Sequence, residues 1–218
     1  VAVVKLSNGT YMPLDPTWVP FCRELWSSAE QQQNYLPGVP EGSDLCITPV
    51  SAPENHYVRI KADNRLDADG TLRGTFTLTA EGQSDSNIRR IFTTGFRSEW
   101  KNTMESQLLA ISPKAKLLSV DYGKNPKDYQ AAPIKITFRY EIPDYALKGE
   151  KEMFFRPLVM NNLYNQVRSY LRIDTSLKER KYGFKDGCSR LVELDETIQL
   201  PAGYKLANAD KNETMQGT

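Results

Sequence analysis

Apolar and polar residues change period several times along this chain, and each change predicts an element. Val1, Ala2, Val3, Val4 and Leu6 open on a strand. Asn8-Gly9 follows, the strongest short hairpin signal, because both residues tolerate positive φ. A second strand, Tyr11 to Leu14, ends at Asp15, and Pro16 stops it. A two-residue Asn8-Gly9 loop sets Asp15 opposite Ala2. Residues 19–56 are punctuated by prolines at 20, 37, 40, 49 and 53. One or two helical turns are expected from Ala29 to Tyr35, then a long ordered loop in which Leu36-Pro37-Gly38-Val39-Pro40 admits no regular element. Trp18, Phe21, Leu25, Trp26, Tyr35 and Leu36 are too apolar for a free linker and are expected to pack this zone against a neighbouring surface.

From residue 57 the period becomes two. Tyr57 to Ala62 predicts a strand, and Asp69-Gly70 a turn. Thr71 to Glu81 alternates, with Leu72, Phe76, Leu78 and Ala80 inward and Thr71, Arg73, Thr75, Thr77 and Thr79 outward, as in a half-buried antiparallel hairpin. The period then lengthens to about four. Ile88, Phe92, Phe96, Trp100, Met104, Leu108 and Ile111 form one apolar stripe down a single long helix. Ser84, Asp85, Ser86 and Asn87 are its N-cap candidates, and Ser112-Pro113 ends it. Gly95, mid-stripe, marks either a close approach to a sheet or a kink. Strands resume at 116–122 and 132–142, where Ile134, Ile136, Phe138, Tyr140 and Ile142 share a face. Segments 152–158 and 169–172 are weaker strands around a polar loop at 161–166. Ser189 to Leu200 alternates again, and 208–218 reads as a polar tail. The sum is a mainly β chain with α, an α+β fold. An antiparallel β-sandwich over residues 57–218 carries one long packed helix, preceded by a hairpin and ordered loop over residues 1–56.

Charge narrows the function classes. The chain has 28 basic and 27 acidic residues, mixed along its length, for a formal net charge of +1. That removes the electrostatic case for nucleic acid or an anionic membrane surface. Lys178, Arg180, Lys181 and Lys185 alternate with Glu179 and Asp186, which describes a solvated face. No apolar run approaches the ~18 residues that span a bilayer. Asp63, Asn64, Asp67 and Asp69 crowd one connection, but their spacing does not match a calcium loop, and Asp and Asn are ordinary turn residues. No metal or cofactor is expected. Asn8-Gly9-Thr10 and Asn212-Glu213-Thr214 have the form of glycosylation sequons.

The candidate nucleophiles are Cys22, Cys46 and Cys188, and the sole histidine is His56. Small buried hydrophobes describe the three cysteines, or an oxidising compartment would allow a Cys22–Cys46 bridge with Cys188 left free. His56, at the head of a strand, reads as an exposed loop residue. A self-contained cysteine hydrolase would need Cys22 or Cys46 with His56 and Asp15. A carbohydrate- or peptide-binding module would instead display Tyr57, Tyr122, Tyr129, Tyr145, Tyr164 and Tyr170 on one sheet face.

Gly9, Tyr11, Leu14, Asp15, Pro16, Thr17 and Trp18 carry a resemblance. They resemble the strand of transglutaminase-like cysteine hydrolases that ends in the orienting Asp, third in the chain order Cys, His, Asp. Asp69–Gly74, Ile88–Ile91, Tyr140–Ala146 and Leu200–Tyr204 resemble the β-rich domain, of no assigned activity, that follows this core in bacterial members. The resemblance implies that Asp15 accepts the imidazole N–H and fixes its tautomer. No Cys or His precedes Asp15 here. Residues 1–56 are then expected to be the remnant of such a core, and 57–218 a non-catalytic accessory domain. The implied partner is the N-terminal catalytic core of the same polypeptide, the implied substrate a peptide or glycan, and the implied location periplasmic or extracellular.

Overall fold

The computed structural model describes residues 1–15, 17, 23, 26, 28–159, 178–179, 181–182 and 187–207. Cys22, the expected strand 169–172, the polar loop 161–166 and the 208–218 tail lie outside them. In chain order the strands are β1 (Ala2–Lys5), β2 (Tyr11–Leu14), β3 (Asn34–Tyr35), β4 (Cys46–Ile47), β5 (Val58–Leu66), β6 (Leu72–Ala80), β7 (Lys116–Asp121), β8 (Ile134–Ile142), β9 (Leu147–Lys148), β10 (Met153–Phe154) and β11 (Val192–Gln199). The helices α1 (Gly82–Thr94) and α2 (Trp100–Ile111) separate β6 from β7.

The opening hairpin forms one residue out of the expected register. Leu14, not Asp15, pairs with Ala2, and Tyr11 pairs with Lys5. The turn is wider than Asn8-Gly9 alone. The Gly9 N–H donates to the Leu6 carbonyl at 2.9 Å and the Leu6 N–H to Thr10 at 2.8 Å. Gly9 supplies the left-handed residue at φ +82 that a three-residue hairpin loop requires. The Asn8 carboxamide oxygen accepts from the Thr10 N–H at 3.0 Å and its hydroxyl at 2.7 Å, holding the longer loop. Continued by one residue, this register sets Asp15 opposite Val1. The helical turns expected over 29–35 reduce to a 3-10 turn at Ser28–Glu30, and the chain is extended from Asn34, where β3 pairs with β4.

The α+β class is as expected. A five-stranded sheet has the order β11-β5-β6-β8-β7. The expected all-antiparallel pairing breaks at one edge, where β11 runs parallel to β5. Period-two alternation sends Val58, Ile60, Ala62 and Leu66 of β5 to the face that also holds Leu72, Phe76, Ile136, Phe138 and Tyr140. Among the described residues that face is covered by α1, α2, Leu158 and Val159 rather than by a second sheet.

Strand β5 runs four residues past Ala62, through Asp63 and Asn64. The turn forms at Asp69-Gly70 as expected, closed by Asp67–Thr71 with Gly70 at φ +89. A buried Asn survives mid-strand because every side-chain dipole is answered. Asn64 accepts from the Tyr140 hydroxyl, and its Nδ2 donates to Glu196 at 2.8 Å. That carboxylate also takes the Leu158 and Val159 N–H groups at 3.0 and 2.8 Å. Opposite Asn64 stands Gly74, and a Cβ there would collide with the Asn64 carboxamide.

The long apolar stripe is real, but it belongs to two helices. Ile88, Phe92, Trp100, Met104 and Leu108 are buried, whereas Phe96 is 76% exposed. Gly95 ends α1 in an extended conformation, and a 3-10 turn at Arg97–Glu99 restarts the helical path. The break lets Phe92, Trp100 and Tyr122 pack edge to face, at centroid distances of 5.1 to 5.6 Å. The N-cap of α1 is Glu81, before the expected candidates. Asp85 is instead buried in a bidentate pair with Arg89, at 2.6 and 3.0 Å. The same guanidinium donates to the carbonyls of Pro126 at 2.8 Å and Ala132 at 2.5 Å, and the Ile134 N–H donates to Asp85 at 2.6 Å. One buried ion pair therefore ties α1 to the loop leading into β8.

Candidate functional site

Asp15 closes β2, and the hairpin register decides what it meets. It is 5% exposed. The Thr17 N–H and hydroxyl both donate to one of its oxygens, Oδ1, at 3.0 and 2.6 Å. The Thr17 hydroxyl, above all, holds the carboxyl below the usual carboxylate range, so Asp15 is ionised at neutral pH. Oδ2 makes no bond to a described residue. A largely buried carboxylate with one oxygen fixed and the other open is suited to accept a proton-bearing nitrogen.

His56 corrects the expectation of an exposed loop residue: it is fully buried. A 3-10 turn at Pro53–His56 delivers it against the start of α1. Its Nδ1 accepts the Gln83 N–H at 3.2 Å, and its Nε2 lies 2.8 Å from the Ser51 hydroxyl. Nδ1 is an acceptor, so the ring proton sits on Nε2 and points at Ser51. This polarity is the reverse of a serine–histidine pair, in which Nε2 must be free to take the hydroxyl proton. Burial, aided by the positive charge of Arg190, lowers its pKa from 6.5 to about 4. Gly82, at φ +57, stands so close that a Cβ would collide with the ring.

The buried neutral imidazole has a pH signature. In the unfolded chain it takes up its proton near 6.5, and in the fold near 4, so the unfolded state binds more protons in between. The stability it contributes is complete above 6.5 and is lost as pH falls toward 4. A difference of about 2–3 kcal/mol is expected between those limits. Urea titrations at pH 4.5 and 7.5 check it, since His56→Gln removes this part of the pH dependence.

Cys22 lies outside the described residues, and Cys46 does not sit beside the histidine. Cys46 lines a cavity of about 650 Å³ between the β1–β2 and β3–β4 hairpins, with Leu6, Tyr11, Met12, Tyr35 and Ile47. Ser51, the partner of His56, lines a different cavity of about 370 Å³ with Arg23, Asn55, Glu81 and Gly82. There the Arg23 guanidinium pairs with Glu81 at 2.7 Å. Cys188 is buried, its thiol 3.2 Å from the Ser189 carbonyl. Asp15 bonds Thr17, not His56.

Nor do the described tyrosines share a platform. Tyr57 lies beneath the Arg59 guanidinium, 4.2 Å from its centroid, and Tyr122 packs on Phe92 and Trp100. The Tyr129 hydroxyl accepts from Gln130 at 3.1 Å. The Tyr145 hydroxyl donates to the Arg156 carbonyl at 2.6 Å, and burial pushes its pKa up to about 12. Tyr164 and Tyr170 lie outside the described residues. The open face of the sheet shows Arg59, Lys61, Asp63, Thr75, Thr77, Lys135, Arg139, Glu193 and Asp195, and none of the residues its five strands direct to that face is aromatic. Opposed charges tie parts of it together, as where Arg73 bonds both Glu141 at 2.9 Å and Asp67.

Comparison with known proteins finds no match: no family model, curated protein or solved structure aligns with this chain. Among the described residues no group of His, Cys, Asp and Glu could hold a metal ion, and no helix is long and apolar enough to cross a membrane. The sequence did not single out Arg89 or Glu196, and it read Asp85 as an N-cap candidate and Asn64 as a turn residue. The four-residue spacing of Asp85 and Arg89 was a readable signal. Asn64 and Glu196 meet only through the parallel pairing of β11 with β5, which no local pattern announces.

Proposed function

We propose that this chain is a non-catalytic part of a transglutaminase-like cysteine peptidase or amidase, completing that enzyme by presenting the Asp15 carboxylate to the imidazole of its catalytic core. One observation carries the reading. Asp15 is buried and ionised, with Oδ1 saturated by Thr17 and Oδ2 open. The core of the same polypeptide is the partner, a peptide or glycan the substrate, and the periplasm or cell exterior the location. Residues 57–218 act as the accessory domain against which the core is built. The binding-module reading draws little support from the open sheet face, to which the five strands direct no aromatic side chain and beside which Tyr57 is stacked on Arg59.

The alternative of a self-contained hydrolase is tested on the chain itself. Iodoacetamide at pH 7 is expected to modify Cys22, Cys46 and Cys188 no faster than an unactivated thiol of pKa ~8.5. His56→Gln should leave those rates unchanged. Rapid labelling of one cysteine that needs His56 would overturn the non-catalytic reading.

A further inference from the structure

We propose that Thr17 is the positioning residue of Asp15: it binds Oδ1 through both its N–H and its hydroxyl, and so turns Oδ2 toward the imidazole that the carboxylate orients. The proposal rests on the reading of Asp15 given above and adds a second residue to that site.

The geometry is specific. The outer torsion of an Asp side chain is broad and nearly two-fold, so an unheld carboxylate offers either oxygen in many directions. Here two donors two residues downstream meet on the same oxygen, at 3.0 and 2.6 Å. The shorter contact is the hydroxyl's, in the range of a charge-assisted bond. With Oδ1 occupied twice, the direction of Oδ2 follows from the backbone of the turn. Threonine suits the task because its branched Cβ restricts χ1, which holds the hydroxyl where serine would let it rotate. The same double donation joins Thr10 to the exposed Asn8, at 3.0 and 2.7 Å, and holds a loop; at Asp15 it falls on a buried carboxylate. The added hydroxyl bond sets the carboxylate itself.

Two readouts test the proposal. In the full chain, ¹³C-carboxyl NMR follows the titration of Asp15, assigned by its loss in Asp15→Asn. Thr17→Val should raise its midpoint by roughly half a unit or more, and Thr17→Ser should restore it. An unmoved midpoint in Thr17→Val overturns the proposal. In the polypeptide that joins this chain to its Cys–His core, Thr17→Val should lower kcat about tenfold with KM unchanged, the effect typical of a lost outer partner. Thr17→Ser should recover most of that loss. Wild-type kcat in Thr17→Val, beside an inactive Asp15→Asn, would make Thr17 a turn residue only and overturn the proposal while the reading of Asp15 stands. Wild-type kcat in both variants would overturn the two together. If Thr17→Val unfolds the hairpin, Thr17→Ser decides: it keeps both donors, and loss of kcat in that variant counts against the proposal.

Discussion

Replacing Arg89 with Met is expected to remove about 3–5 kcal/mol of unfolding free energy, the range for breaking a buried ion pair from one side. Arg89 and Asp85 are 3% and 0% exposed. Arg89→Met leaves the Asp85 carboxylate buried with only the Ile134 N–H to answer its charge. It also strips the donors from the carbonyls of Pro126 and Ala132. Methionine fills much of the volume, so the loss measures the charge and its hydrogen bonds rather than a cavity. Urea denaturation followed by Trp fluorescence checks it. Because the pair anchors the 126–132 loop to α1, amide exchange in that loop should quicken before the rest of the sheet is affected. A loss below about 1 kcal/mol, as for an exposed pair, would show that solvent reaches the site.

Under the proposed function, Asp15→Asn, made in a polypeptide that joins this chain to a Cys–His core, is expected to lower kcat by about four orders of magnitude. The amide keeps the size of the carboxylate, and its oxygen can still accept from Thr17. The group then turned toward the imidazole is an NH₂, a donor, which selects the wrong tautomer. It also leaves the developing imidazolium without its counter-charge. KM should change little, because Asp15 touches the base rather than the substrate. Steady-state kinetics with a peptide amide checks both parameters. A variant within tenfold of wild type would make Asp15 a strand-end carboxylate held by its own turn.

Much of the fold was legible because the elements that matter are periodic. Ile134, Ile136, Phe138, Tyr140 and Ile142 alternate without a break, and all five are buried on one face. The helical stripe from Ile88 to Leu108 was equally clear. It concealed its break, since Phe96 fits the spacing and only Gly95 signals that the helix stops. Tertiary contacts produced the other departures. Asp63 and Asn64 read as turn residues, but the β5 backbone pairs through them because Tyr140, Glu196 and the side-chain-free Gly74 make room for a buried amide. His56 looked exposed because a lone histidine between Asn55 and Tyr57 shows nothing of the helix start that covers it. The hairpin register missed by one residue, since Asn8-Gly9 serves a two- or a three-residue loop equally well, and the Asn8–Thr10 bonds select the longer. At the candidate site, the position of Asp15 and its Thr17 neighbour were legible from the motif. The open Oδ2 was not, for it depends on which oxygen the turn occupies.

The most direct test of the central claim is the coding sequence adjoining Val1 in the gene. The account predicts a Cys upstream, followed by a His within about a strand's length of Val1. An adjoining sequence without that Cys and His would contradict it.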